Sequence, residues 1–342
     1  MPFQPEYAIG KTVFGSAEAI RSAYSTFSKM RIDETRLALP GLPPFTPVRT
    51  TLAGEASVAG VGTFKGDSKQ TITFAPSERH GWWIRRMDQP EQLDTFVDIS
   101  NLWTSAHNLV LRSGSPHNYL RMVEHIIALK AGLGLDDVLL KVNSGDPPLF
   151  DQSSLPLVKA VERARIVAKR EMASYVTVKE PVAFGGKHGE FLLFFPADKM
   201  APRLRIDCAI KWNTVIGEER ILFDVTPETF RYASLARTNA TFRQYVLAKT
   251  VGRLFAGTRN LGYNKRNILI HGKRGFHTEP RFPTGDKFLE PVWHRATLDL
   301  LAALSLTGAS RFAGTVVSFR AGHTLDCDAI RALYRNDLIC SL

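Results

Sequence analysis

Ile20, Tyr24, Phe27 and Met30 recur three to four residues apart, a spacing that predicts a short amphipathic helix within residues 16–31. The run PGLPPFTP (40–47) then breaks the chain, so residues 1–48 read as an N-terminal extension. Beyond it the pattern switches to alternation. TLAGEASVAG and KQTITFAP read as strands on either side of the glycine-rich turn GVGTFKG, with further extended pieces in 101–114. In SGSP (113–116), Ser115 is the expected N-cap and Pro116 the first helical residue of a helix running through VEHIIALKA to Gly132 and Gly134. DDVLLKVN (136–143) reads as a buried strand, and SSLPLVKAVERARIVAKRE (153–171) as a second helix.

The second half repeats the theme. SYVTVKEPVAF, EFLLFFPA and RLRIDCAIKW read as strands, and ETFRYASLARTNATFRQYVLAKTVGRLFAG holds helical stretches. NILIHG is a strand, EPVWHRATLDLLAALSLTG (290–308) a helix with Pro291 near its start, and AGTVVSFRAG a strand leading into the helix HTLDCDAIRALY. Runs of strands followed by helices make an α+β protein, divided into the extension (1–48), a first α+β domain (49–171) and a second (172–342).

Composition narrows the function. The 342 residues carry 44% hydrophobic and 23% charged side chains, the balance of an ordinary globular protein with a sizeable core. No apolar run reaches the roughly 20 residues that span a bilayer, and the first residues lack a secretory pattern. Cys208, Cys327 and Cys340 show no CxxC spacing, which fits free thiols in a cytoplasmic protein. A net charge of +11 favours an anionic partner: a phosphorylated substrate, a membrane surface or nucleic acid. The charge is spread, with no zinc-finger, RRM or KH signature, so no specific nucleic-acid binding is expected. The helix in 16–31 either packs on its own domain or makes a peripheral membrane contact. With no GxGxxG or GxxxxGK[ST] loop, neither a dinucleotide nor a P-loop site is signalled.

Glu124-His125 alone is a weak signal, since most helical histidines lie on the surface or in a satisfied core. It gains weight from His294 and Asp299 on a second helix, and from His323 after Gly322 at a strand-to-helix junction. Two histidines and one aspartate are the ligand set of a catalytic zinc with an open position, and a spare carboxylate and histidine supply base and acid. His107, His117, His271 and His277 have no evident partners and read as surface residues.

RTTLAGEASVAGVGTFKG (49–66), VEHIIALKAGLGLDDVLLKV (123–142), PPLFDQSS (147–154) and SFRAGHTLDCDAIRAL (318–333) resemble the zinc-dependent UDP-3-O-acyl-N-acetylglucosamine deacetylases of lipid A biosynthesis. The resemblance runs from about Arg49 to Leu333 and implies two similar α+β domains with helices sandwiched between two sheets. It implies Glu124 as general base, His323 as general acid or oxyanion support, and His125, His294 and Asp299 as ligands of Zn2+. It also implies substrate contacts from Arg295, Thr238 and Phe242, the last taken from an Arg237-Thr238 segment in which three residues intervene before the aromatic. Asp151 and Asn267 fall near the implied cleft, where a turn-forming role explains them equally well. The implied partner is a UDP-linked acylated glucosamine, whose acyl chain is a second route to membrane contact.

The chain departs from the family pattern in three places. The family spaces its second and third ligands as His-x-x-x-Asp, whereas here His294 and Asp299 are five apart, with Leu298 at the expected position. On a regular α-helix such residues point about 140° apart. A one-residue π-bulge restores the shared face. Ala303 stands where the family has an aspartate that supports the acid histidine, and Phe64 where its Gly-Val-Gly turn continues to a histidine. These departures also fit a re-purposed relative that binds an acylated or nucleotide sugar without hydrolysing it.

Overall fold

The computed structural model describes residues 5–39, 41, 43–250 and 262–342, so the segment VGRLFAG at 251–257 of the predicted helical stretch lies outside the described residues. The fold is α+β, as expected. A six-stranded sheet from the first half orders its strands as Pro148–Leu149, Ala56–Gly62, Lys69–Pro76, Val138–Val142, Trp82–Arg86 and Asp94–Phe96. A seven-stranded sheet runs Thr12–Phe14, Val182–Gly185, Phe191–Phe195, Gly314–Phe319, Leu204–Lys211, Glu218–Asp224 and Glu34–Arg36. Between the sheets lie helices α2 (Glu124–Leu133), α3 (Leu155–Ala164), α4 (Pro227–Ala233), a composite helix of α6 (Glu290–His294) and α7 (Leu301–Leu304), and α8 (His323–Arg335). Helix α3 packs on the first sheet, α6 and α8 on the second, and α2 meets α7 and α4.

Alternation explains the first sheet: Ile72, Phe74, Val138, Leu140 and Val142 point to the helices while their neighbours face out. FLLFF and the apolar centre of LRIDCAIK run on without alternating because both faces of the second sheet are covered. Leu192, Phe194, Ile206 and Val316 face the helical layer. Phe191, Leu193, Ala209, Val317 and Phe319 face the other way, onto Ile20, Phe27 and Met30 of the N-terminal segment.

The predicted N-terminal helix is α1 (Ala17–Phe27), capped by Ser16, whose side chain accepts from the Ala19 amide. Its apolar side is buried against this sheet, as the packing alternative expects. Thr12–Phe14 pairs in parallel with Val182–Gly185 at one edge, and Glu34–Arg36 in parallel with the outer strand at the other. The segment read as an extension therefore closes both edges of the second sheet.

Two sequence expectations are corrected. Ser115 and Pro116 do not start a helix: the Ser115 hydroxyl accepts from His117 N in a turn, Tyr119–Leu120 is a strand, and α2 starts only at Glu124. The predicted helix over 153–171 ends at Ala164, because Arg165 takes φ 57° and the β-branched pair Ile166-Val167 opens a strand, Ile166–Met172, on Val48–Leu52. Helix α2 ends as predicted, with Gly134 left-handed at φ 59°. Gly132 lets α4 approach closely, since a Cβ there would lie 2.1 Å from the Phe230 ring.

Candidate active site

Glu124 and His125 occupy the first turn of α2, where adjacent residues diverge and each side chain reaches a different neighbour. Glu124 is buried, and its Oε2 accepts from the Leu109 amide at 3.0 Å. Burial raises its pKa, and the nearby His323 partly offsets this. His125 Nε2 points at His294 Nε2, 3.3 Å away. Burial and then the neighbouring His294 push the His125 pKa down to about 3, so its ring is neutral, as a metal ligand must be. Thr238 Oγ1 sits against both rings, 3.1 Å from His125 Nε2 and 3.2 Å from His294 Nε2. Behind His125, Ser154 Oγ bonds its backbone oxygen and lies 3.4 Å from Nδ1. Ser154 was missed in the sequence as a site residue, although it ends the quoted PPLFDQSS.

His294 is the last residue of α6, and the chain continues as a π-helix over Arg295–Leu300. The i→i+5 repeat puts residues five apart on one face. Asp299 Oδ1 accordingly lies 3.6 Å from His294 Nδ1, while Leu298 is fully buried in the core. The Thr297 hydroxyl, 2.5 Å from the Trp293 carbonyl, provides a bond within the widened turn. His323, first residue of α8 after the extended Gly322, brings Nε2 to 3.6 Å from Asp299 Oδ1 and 4.0 Å from Glu124 Oε1. Burial opposes the charge on His323, but Asp299, then Glu124 and Asp326, outweigh it and raise its pKa. The same histidines hold Asp299 well below the usual carboxylate range despite its burial. Asp326 thus supplies a third carboxylate near His323 although Ala303 supplies none. It too went unread in the sequence.

Arg295 turns inward. Its Nε donates to Ala321 O at 2.7 Å and its Nη2 to Ser318 Oγ and Asp326 Oδ1 at 3.2 and 2.6 Å, leaving Nη1 buried and unpartnered among the described residues. Phe242 begins α5 (Phe242–Lys249), is 45% exposed and stacks on His277 at 4.4 Å, outside the cavity lining. The cavity aromatics are instead Phe64, Trp212, Tyr245 and Tyr263. Phe64, in the place of the expected histidine, is buried beneath the Arg121 guanidinium. Asp151 is exposed near Arg266, and Asn267 braces its own loop by donating to Gly262 O. His107 is exposed, as expected, and also lines the cavity, whereas His271 is buried under Trp212 rather than lying on the surface.

Glu124, His125, Thr238, His294, Arg295, Asp299 and His323 open on one cavity of about 860 Å³, within the usual range for small-molecule sites. Among the described residues, no three His, Cys, Asp or Glu side chains stand together as a complete metal cage. The donor set nevertheless fits a divalent cation. Two nitrogens 3.3 Å apart match the edge expected for tetrahedral ligands about 2.0–2.1 Å from one ion. The buried Asp299 Oδ1, 3.6 Å from the other ring nitrogen of His294, has no hydrogen-bond partner among the described residues.

Helices that span a membrane are absent among the described residues. The chain is 25% identical over 289 residues to proteins of Brucella ovis, Brucella canis and Brucella melitensis named UDP-3-O-acyl-N-acetylglucosamine deacetylase, covering 84% of this chain and 95% of each relative. Residues 49–335 match the family described as UDP-3-O-acyl N-acetylglycosamine deacetylase, and the chain belongs to that family.

Proposed function

We propose that this protein hydrolyses the acetamide of a UDP-linked 3-O-acylated N-acetylglucosamine, a deacetylation in lipid A biosynthesis, and that it works in the cytoplasm. The observation carrying this reading is the meeting of His125 and His294 nitrogens with the Asp299 and Glu124 carboxylates and His323 at one cavity wall. His125, His294 and Asp299 would hold Zn2+. When bound, zinc supplies Lewis-acid polarisation of the amide carbonyl and a water of lowered pKa.

The chain's own groups do the rest. Glu124, kept by burial with a raised pKa, takes the proton of the attacking water. His323, held towards its charged form by the flanking carboxylates, steadies the developing oxyanion and gives a proton to the amine as the C–N bond breaks. The Thr238 hydroxyl, against both imidazoles, is a neutral donor that would serve the reacting carbonyl. For Arg295 we propose bracing of the π-helix against α8, with only Nη1 left for substrate. Phe242 is left no direct contact; Phe64, Trp212, Tyr245 and Tyr263 are the aromatics that line the cavity the substrate would enter.

The test is direct. Purified protein should carry about one zinc per chain, lost in His125→Ala, and release acetate from the acylated UDP-sugar, with release abolished in Glu124→Ala. A folded protein that binds UDP-sugar without zinc or hydrolysis would favour the re-purposed relative instead.

A further inference from the structure

Residues 5–48 lie outside the span matched by the family, yet they reach the element that carries His294. Three links converge there. Asp33 pairs with Lys287 at 2.9 Å, just before α6 begins. Arg36 lies over the Tyr232 ring at 3.7 Å, and Tyr232 packs edge-on against Trp293. Between these two, Glu34 Oε2 accepts from Trp293 Nε1 at 2.9 Å. Trp293 is fully buried, is the residue before His294, and its own carbonyl is held by Thr297 within the π-turn. Arg36 binds the other Glu34 oxygen at 2.6 Å and so fixes the carboxylate that the indole meets.

We infer that Glu34 is a positioning residue: through its bond to Trp293 it sets the orientation of His294 and the π-turn, making the N-terminal segment part of the catalytic apparatus. A buried indole N–H needs an acceptor, and Glu34 is its observed partner. The strand carrying Glu34 is itself anchored, since Glu34 pairs in register with Ile221 of the second sheet. Any rotation of the indole would be passed directly to the next residue of the same helical turn. The inference rests on the proposed zinc-dependent hydrolysis.

The experiment compares Glu34→Ala, Trp293→Phe, the double variant and Glu34→Gln in the full chain. It reads zinc affinity by chelator competition, kcat and KM separately, and thermal midpoint. Glu34→Ala and Trp293→Phe should each weaken zinc binding and lower kcat about tenfold with KM little changed, and the double variant should be no worse than either. Glu34→Gln keeps an acceptor oxygen and should retain most of both. Variants that melt earlier but keep zinc affinity and kcat within twofold of wild type would overturn the inference and leave the function standing. A wild type without zinc or activity would overturn the function as well.

Discussion

His294 and Asp299, five residues apart, bring Nδ1 and Oδ1 to within 3.6 Å of each other because the helix between them is a π-helix. The extra residue is absorbed in the widened turn, and the two side chains share a face, as the proposed zinc site requires. Asp299→Ala should therefore abolish tight zinc binding. Moving the carboxylate to the regular spacing should not restore it: Leu298→Asp in that background buries an unpartnered carboxylate at a fully buried position, costing several kcal/mol. Zinc content and urea unfolding of both variants check this, and zinc recovery in the double variant would contradict it.

Thr238→Val should keep the fold and the metal while lowering kcat about 10²-fold, the scale for losing one donor near a developing oxyanion. Steady-state kinetics with a zinc assay separates this from simple loss of the metal.

Phe27 is fully buried, edge-on to Phe191 and Phe319. Phe27→Ala should destabilise the protein by about 3–5 kcal/mol, measurable by chemical denaturation. A loss below about 1 kcal/mol, the scale of a surface change, would mean that the N-terminal segment is only loosely attached.

Asp137 is buried and accepts from Arg49, Lys169 and Gly81 N. Burial raises its pKa, but the hydrogen bond and charge of Arg49 prevail and the net shift is downward. Its stabilisation is therefore complete above the unfolded carboxylate pKa of about 3.9 and fades as pH falls through the lower folded value. Asp137→Asn strands Arg49 and should cost about 3–5 kcal/mol at pH 7. The gap between variant and wild type should narrow below pH 4 in urea titrations.

Much of this was legible in the sequence. The spacing of Ile20, Phe27 and Met30 predicted α1, and the five-residue interval His294–Asp299 posed the question that the π-helix answers. What escaped depends on contacts between distant segments. No local pattern tells that Arg295 will find Asp326 on another helix, or that Phe242 will prefer His277 to the cavity. Nor does proline after Ser115 reveal that the intervening turn postpones α2 to Glu124. The two edge strands were invisible for the same reason: ETR and TVF are too short to show alternation, and only their partners make them strands.

Those edge strands also bear on how the molecule is made. Thr12–Phe14 leaves the ribosome well before its partner Val182–Gly185 exists, and Glu34–Arg36 waits longer still for Glu218–Asp224. Both strands are thus made long before their partners, and until these appear their apolar side chains need shelter from misassociation.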